Sequence, residues 1–262
     1  MDSESLTMLE DALRKTMAGT TGGQLDKALT ELGWLDMLDE MPETAIPLVF
    51  RLLGETGAHA PVLNDVVLHA AGRETGGVVP LPYAGGTSVV WQRTDHAGAA
   101  IDELPIQPTA QRDPVPLVAG RIALGWWLVG TGRAMLSLAR RHALDRVQFG
   151  RPVAGFQAIR HRLAETLVAL EGAEATLQLS VAEPSDLAVL LAKAAAGQAA
   201  LTAARHCQQV LGGIGFTAEH AMHHHVKRAL FLDGLLGGAR ELTREAGVVL
   251  REEGFAPRLG QL

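Results

Sequence analysis

The sequence predicts a mainly α-helical protein: N-terminal helices, a reduced β segment, and a C-terminal antiparallel helical bundle. Three observations predict it. Apolar residues step by three and four over the 26 residues from Phe156 to Val181, the spacing of one helix face. The stretch from Ile122 to Leu138 is apolar nearly all round, as the central helix of a bundle is. Glycine and proline cluster between residues 72 and 116, where they interrupt helical patterns.

Residues 1–72 form the N-terminal helical region. Leu6, Leu9, Leu13 and Met17 repeat at helical spacing. Leu48, Leu52 and Leu53 mark a second helix, and Val62, Val66 and His69 a third. Residues 73–116 form the middle β segment. It carries Gly76-Gly77, Gly85-Gly86 and six prolines: Pro80, Pro82, Pro105, Pro108, Pro114 and Pro116. Val78-Val79 and Thr87-Ser88-Val89-Val90-Trp91 are its strand candidates. The segment is too short and too broken for a sizeable β domain.

Residues 117–262 form the bundle. Arg140 and Arg141 follow the apolar stretch at a C-terminal helix end, where the helix dipole favours cations. The next helix presents Phe156, Ile159, Leu163, Leu167, Leu170, Glu174, Leu177 and Val181, apolar except for Glu174. That run makes about 39 Å of helix at about 1.5 Å per residue. Pro184 stops it, and Ser185 or Asp186 caps the following helix. That helix carries Leu187, Leu190, Ala194, Leu201, Ala204 and Leu211 and ends at Gly212-Gly213. A final helix spans about Ala239 to Arg251. Short connections between long helices read as an antiparallel bundle.

Composition narrows the function. The chain of 262 residues is 47% hydrophobic and 20% charged, ordinary for a globular protein with a real core. A net charge of -6 argues against a nucleic-acid binder, which needs a basic face to neutralise phosphates. The single cysteine, Cys207, forms no internal disulfide and fits a reducing cytoplasm. The first ten residues hold acids and no apolar run, unlike a signal peptide. The most apolar stretch, Ile122–Gly132, is bracketed by Arg121 and Arg133 and is too short to span a bilayer. The expected localisation is cytoplasmic, without a membrane partner.

Two segments carry chemistry. Arg146-Val147-Gln148-Phe149-Gly150, followed by Phe156-Gln157-Ala158-Ile159, presents a guanidinium, an amide and a ring near one helix end. An Arg fork suits a pyrophosphate, and Phe and Gln can flank a planar ring system. A capped helix end with a core Phe accounts for the same residues. The second segment is Gln209-Val210-Leu211-Gly212-Gly213-Ile214-Gly215-Phe216. Its glycines let a backbone approach a ligand closely. It follows a helix rather than a strand, so it is not a dinucleotide fingerprint. A helix end, a turn and a new helix capped by Thr217 is a compatible reading.

Other residues point less far. His220 and His224 stand at i, i+4, but nothing nearby completes a metal site, and no Glu-x-x-His pair exists for a di-iron centre. No metal is expected. Cys207 and the adjacent Trp126 and Trp127 read as core or interface residues. Arg121, entering an apolar helix, needs a buried anion or carbonyl partner; Asp233 and Glu241 are the candidates.

Taken together, Arg-x-x-Phe-Gly at Arg146, Gln157, and Gln-x-x-Gly-Gly-x-Gly beginning at Gln209 resemble the acyl-CoA dehydrogenase family. The resemblance is strong over about residues 117–240. It is weaker at the N-terminus, where Glu31-Leu32-Gly33-Trp34-Leu35 looks like a family helix end, and nearly vanishes between about 73 and 112. It implies an acyl-CoA dehydrogenase-like fold and FAD as cofactor. In the family the Arg and Phe cross a subunit interface and bind the ADP half of a neighbour's FAD. The resemblance therefore gives Arg146 the pyrophosphate, sets Gln148 and Phe149 beside it, and gives Gln157, Gln209, Gly212 and Gly213 the adenosine side.

The same resemblance exposes what is missing. Family members remove the α proton of an acyl-CoA thioester with a Glu that precedes a Gly, while the flavin accepts the β hydride. Here that position is Leu236, before Gly237. An alternative family position, just before Arg121, is Gly120. Neither residue can accept a proton, and Asp233 is the one remaining candidate base nearby. Arg121 matches a family Arg near the thioester. The chain looks like the smaller subunit of heteromeric, actinobacterial-type acyl-CoA dehydrogenases, several of which act on CoA thioesters of steroid side chains. In these a full-length partner supplies the base and the flavin platform, and the implied assembly is an α2β2 heterotetramer. Two other readings stay open: an active homomeric enzyme using Asp233, and a helical interaction protein without cofactor.

Overall fold

The protein is described by a computed structural model that covers residues 3–93, 104–182 and 185–254. Five helices come first: α1 (Ser3–Gly19), α2 (Gly22–Glu31), α3 (Trp34–Glu40), α4 (Pro42–Thr56) and α5 (Val62–Ala70). An antiparallel sheet follows, β1 (Pro80–Tyr83), β2 (Thr87–Trp91) and β3 (Ile106–Thr109), in that spatial order. Next come α6 (Val118–Asp145), a two-stranded ribbon of β4 (Val147–Gln148) and β5 (Arg151–Pro152), and then α7 (Gln157–Ala182), α8 (Asp186–Leu211), α9 (Met222–Gly234) and α10 (Ala239–Glu253). The protein is thus mainly α-helical.

Helix α6 runs through the middle of the bundle, packed by α4, α5, α7, α8 and α9. Glycines let its neighbours approach its backbone. A Cβ at Gly130 would stand 2.1 Å from the Arg51 carbonyl oxygen of α4. Cβ atoms at Gly125 and Gly132 would stand 2.4 Å from Leu177 and Leu170 of α7. Trp127 of α6 lies between Phe50 of α4, edge-on at 5.6 Å, and Trp91 of β2, stacked at 5.4 Å. Trp91 meets Phe231 of α9 at 6.1 Å, and Phe231 stacks on Tyr83 of β1 at 5.4 Å. Aromatic contacts therefore tie the N-terminal helices, the sheet and the bundle into one core.

A buried ion network fastens the middle segment to the N-terminal helices. Asp65 of α5, with only 1% of its side chain exposed, accepts from the Trp34 indole, the Gly76 amide and the Arg93 guanidinium. Arg93 Nη1 also donates to both oxygens of Asp26 at 2.8 Å. Burial raises the Asp65 carboxyl above its usual range, and the Arg93 charge opposes that shift.

The local structure departs from the sequence pattern in several places. Val78-Val79 is not a strand; the first strand begins at Pro80. β1 and β3 are the outer strands of the sheet, and edges tolerate Pro80, Pro82 and Pro108, which lack amide donors. Helices α2 and α3, of 10 and 7 residues, are too short for their periodicity to stand out. Phe156 precedes α7 rather than opening it. The buried face of α7 is Thr166, Leu170, Ala173, Leu177 and Ser180, so Leu167 of the apolar stripe faces outward. Ser185 caps α8, its Oγ accepting the Ala188 amide at 3.1 Å; Pro184 lies outside the described residues. Thr217 caps no helix: its hydroxyl donates back to Ile214, and α9 begins at Met222. Arg140 and Arg141 lie about a turn inside α6, which continues to Asp145. Helix α6 extends well past the apolar stretch at both ends, over 28 residues. By length and composition alone α6 and the helix from Asp186 could cross a membrane, but most of both is buried against neighbouring helices.

The enclosure of α6 can be tested with two substitutions. Gly130→Ala must push α4 away and should destabilise the chain by about 3 kcal/mol. Gly172→Ala, on the outside of α7 with nothing within 4 Å, should instead add about 0.5–1 kcal/mol. Urea unfolding of the two variants measures both.

Candidate functional site

Helix α6 is followed by Arg146, whose backbone turns extended with φ -77° and ψ 117°. β4 and β5 pair directly, Gln148 opposite Arg151, leaving Phe149 and Gly150 as a two-residue turn. Both have positive φ, 53° and 76°, the setting of a type I′ hairpin turn. Glycine adopts it freely, whereas a Phe there carries a cost of about 1–2 kcal/mol. The Phe149 ring is 91% exposed. Among the described residues its ring meets the edge of Phe156 at 6.1 Å, and the Arg151 guanidinium lies 4.2 Å over the Phe156 ring. A strained backbone holds this aromatic side chain in water, where it contributes no burial.

Helix register brings the predicted site residues to one end of the bundle. α7 and α8 run antiparallel, with Thr166 Oγ1 3.1 Å from His206 Nδ1. Gln157, nine residues before Thr166, and Leu211, five residues after His206, therefore lie toward the same end of the pair. α6 and α7 also run antiparallel, through the Gly125–Leu177 and Gly132–Leu170 contacts, which sets Gln157 level with the end of α6. Arg146, Gln148, Phe149, Gln157, Gln209 and Gly213 are all exposed there. Gly212 has φ 67° and ψ -144°, and a Cβ on Gly212 or Gly213 would meet nothing within 4 Å. Phe216, 67% exposed, adds a second ring to this end. Burial, then the charges of His220 and Arg146, hold His142 below its ordinary pKa. The end is therefore cationic, aromatic and open along a glycine-lined backbone. An exposed Arg fork, exposed rings and backbone with room above it fit a nucleotide diphosphate.

The opposite feature is closed. Leu236 is 1% exposed and has φ 57°. Its amide donates to the Pro82 carbonyl at 2.8 Å, and Arg121 Nε donates to its carbonyl at 3.1 Å. A Cβ on Gly120 would stand 2.7 Å from Leu236 Cδ1 and 3.0 Å from Val67. The two positions at which a carboxylate was sought thus face each other, and both are apolar. Arg121 makes its ion pair with Glu245, at 3.6 Å, not with Asp233 or Glu241. Glu241 is engaged instead by the amides of Gly238 and Gly85, at 3.0 and 3.2 Å, which hold its carboxyl below the usual range. Asp233 is half-buried, and its Oδ1 accepts the Ala239 amide at the start of α10 at 3.1 Å.

Sequence reasoning missed Lys193. It is fully buried in α8, and its ammonium donates to the carbonyls of Asp233 and Gly237 at 2.6 Å each, and of Leu232 at 3.4 Å. Burial lowers its pKa to about 8, with the Asp233 charge opposing the shift. It fastens the turn that holds Leu236. A lone lysine in the alanine-rich run of α8 was the available signal, because buried lysines need partners. Trp126 and Trp127 are buried core residues, and burial pushes the Cys207 thiol up to about 12. His220 Nδ1 accepts the Met222 amide at 3.1 Å, and the His223 and His224 rings lie 3.8 Å apart.

Two variants test these assignments. Phe149→Asn, which tolerates positive φ, should raise the stability of the chain alone by about 1 kcal/mol. Lys193→Met removes the ammonium donor from the Asp233 and Gly237 carbonyls and should cost about 2–4 kcal/mol. Thermal unfolding of the purified chain measures both.

Residues 115–247 match the family model described as "Acyl-CoA dehydrogenase, C-terminal domain". The acyl-CoA dehydrogenase IpdE2 of Mycolicibacterium smegmatis is 38% identical over 116 residues, 44% of this chain and 37% of the relative. The chain spans less than half the length of the curated relatives it matches. Among solved structures, a variant of the Tcur3481–Tcur3483 steroid ACAD superposes with a TM-score of 0.74 at 19% identity, over 96% of this chain and 99% of that one. The ChsE4–ChsE5 complex from Mycobacterium tuberculosis gives 0.73 at 19% identity, over 98% of this chain and 99% of that one. These structures share the fold.

Proposed function

The chain belongs to the acyl-CoA dehydrogenase family, and from that premise we propose that it is a FAD-dependent acyl-CoA dehydrogenase subunit that completes a partner's FAD site and lacks the catalytic base itself. The observation that carries this reading is the contrast between the two ends of the bundle. The nucleotide-type end is open, strained and exposed at Phe149, while the base position is an apolar Leu236 sealed against Gly120, Val67 and Pro82.

Acyl-CoA dehydrogenases bind FAD, which supplies the acceptor for the β hydride of an acyl-CoA thioester. Arg146 would hold the pyrophosphate with its fork, with Gln148 and Phe149 beside it. Gln157, Gln209, Gly212 and Gly213 complete the adenosine side, the glycines because they carry no Cβ above the backbone. Removing the α proton needs a carboxylate in a dry site. Leu236 and Gly120 hold no proton, so the base comes from a full-length partner subunit. Among the described residues of the middle segment, three short strands offer little surface for a flavin ring, so the partner also seats the reactive ring. Arg121, anchored on Leu236 and Glu245, keeps the emptied turn in place.

Two similar structures are of paired proteins, a steroid ACAD and the ChsE4–ChsE5 complex. They support a heteromeric assembly and a steroid-type substrate; α2β2 as its form and a steroid side-chain CoA as the substrate are what the family resemblance implies. The homomeric alternative needs Asp233 as the base, and that carboxylate is occupied in capping α10.

Co-purification with the full-length partner tests the proposal. The chain alone should be colourless and the complex yellow. Arg146→Ala should lower the flavin content of the complex at least about tenfold, the loss of one charge-assisted fork, with the bundle still folded. Asp233→Asn should leave turnover by the complex within about twofold and lower the melting temperature, because it weakens a helix cap. A yellow single chain that Asp233→Asn inactivates would establish the homomeric reading instead.

A further inference from the structure

The ribbon that follows α6 carries a second cation beside Arg146. Successive side chains of β4 and β5 leave opposite faces of the ribbon. Gln148 stands opposite Arg151, and Arg146 lies two residues before Gln148 on extended backbone. Arg146, Gln148 and Arg151 therefore share one face, and Val147 and Pro152 take the other. The Val153 amide donates to the Arg146 carbonyl at 2.8 Å and closes the base of the ribbon. Arg146 and Arg151 are thus diagonal neighbours, a spacing that long side chains bridge. Both are exposed, and among the described residues no ion pair or hydrogen bond engages either guanidinium.

Aromatic packing holds Arg151 in place. Its guanidinium carbon lies 4.2 Å from the centre of the Phe156 ring, a cation–π contact. Phe156 in turn meets Phe149 at 6.1 Å, with the ring planes 84° apart. The Arg151 stem runs along the backbone of Gly155, where a Cβ would stand 3.4 Å from Arg151 Cδ and 3.8 Å from Nε. Cation, ring and ring thus form a ladder from Arg151 to Phe149. The ladder narrows the rotamers open to both ends, and side chains ordered beforehand lose less entropy when a ligand binds. None of this packing uses the N–H donors of Arg151, which remain available to a ligand.

We propose that Arg151 is a second phosphate-binding residue of this end, given that the end holds the ADP half of a partner's FAD, and that Phe156 is the platform that positions both Arg151 and the Phe149 ring. One Arg fork pairs with one phosphoryl group. Two guanidiniums on one ribbon face suit two linked phosphoryl groups, so the end selects a nucleoside diphosphate over a monophosphate.

Calorimetric titration of the deflavinated complex with its full-length partner, using FAD, ADP and AMP, tests the assignment. The unaltered complex should bind ADP at least about tenfold tighter than AMP. Arg151→Gln should weaken FAD and ADP about tenfold and AMP little, so that the preference for ADP collapses. Because Arg151 is exposed, the melting temperature of that variant should be unchanged. Phe156→Leu keeps both charges but removes the platform, and should weaken all three ligands about two- to fivefold. Arg146→Ala, titrated alongside, separates two failures. If Arg146→Ala loses FAD and Arg151→Gln keeps it, the role of Arg151 falls and the FAD assignment stands. If neither variant loses FAD, the FAD assignment falls as well. Equal weakening of ADP and AMP by Arg151→Gln would mark a merely structural role and overturn the proposal, and a Phe156→Leu variant without effect would overturn the platform.

Discussion

The enclosure of α6 is the constraint on which the remainder of the structure depends. A helix apolar on nearly all sides has no solvent face, so every side needs a cover. Glycines at 125, 130 and 132 bring those covers within backbone contact, and Trp127 carries the packing outward through Phe50 and Trp91. Once α6 is fixed, the positions of its two ends are fixed too. Its start holds Gly120 and Arg121 beneath the Leu236 turn, and its end releases the hairpin that bears Phe149.

Those two ends differ in how they use free energy. At the start of α6, polar groups are satisfied within the chain: Arg121 on Leu236 and Glu245, Lys193 on three carbonyls, Asp233 and Glu241 on amides. Leu236 retains a left-handed backbone although Leu gains nothing from it. At the end of α6 the situation is reversed. Phe149 carries the same kind of backbone strain and its ring stays in water. Strain without burial is costly for an isolated chain and becomes reasonable where a ligand or neighbouring subunit covers it.

Long-period features were legible in the sequence. The α6, α7 and α8 helices rest on spacing that persists over many residues, and the Ser185 cap on its place just after Pro184. The short helices α2 and α3 offered no such repeat. β1 was obscured because Pro80 and Pro82 are rare in strands, and only its place at the sheet edge admits them. The outward rotation of Leu167 depends on how α7 sits against its neighbours, which periodicity alone does not set. Arg121 was expected to find Asp233 or Glu241 and found Glu245, a choice fixed by the rotation of α10. Lys193 was hidden for a related reason: its partners are backbone carbonyls some 40 residues away, and carbonyls leave no mark in a sequence.

The account's central claim is that the hairpin at Phe149 and the turn at Gly212 are covered together by a nucleotide held on another subunit. Hydrogen exchange of the chain, alone and in the flavin-loaded complex with its full-length partner, addresses it most directly. The account predicts that amides in Val147–Arg151 and in Gly212–Phe216 both become protected in the complex, while the Leu235–Gly238 turn changes little. Protection confined to other faces of the bundle, with both segments exchanging as in the free chain, would contradict it.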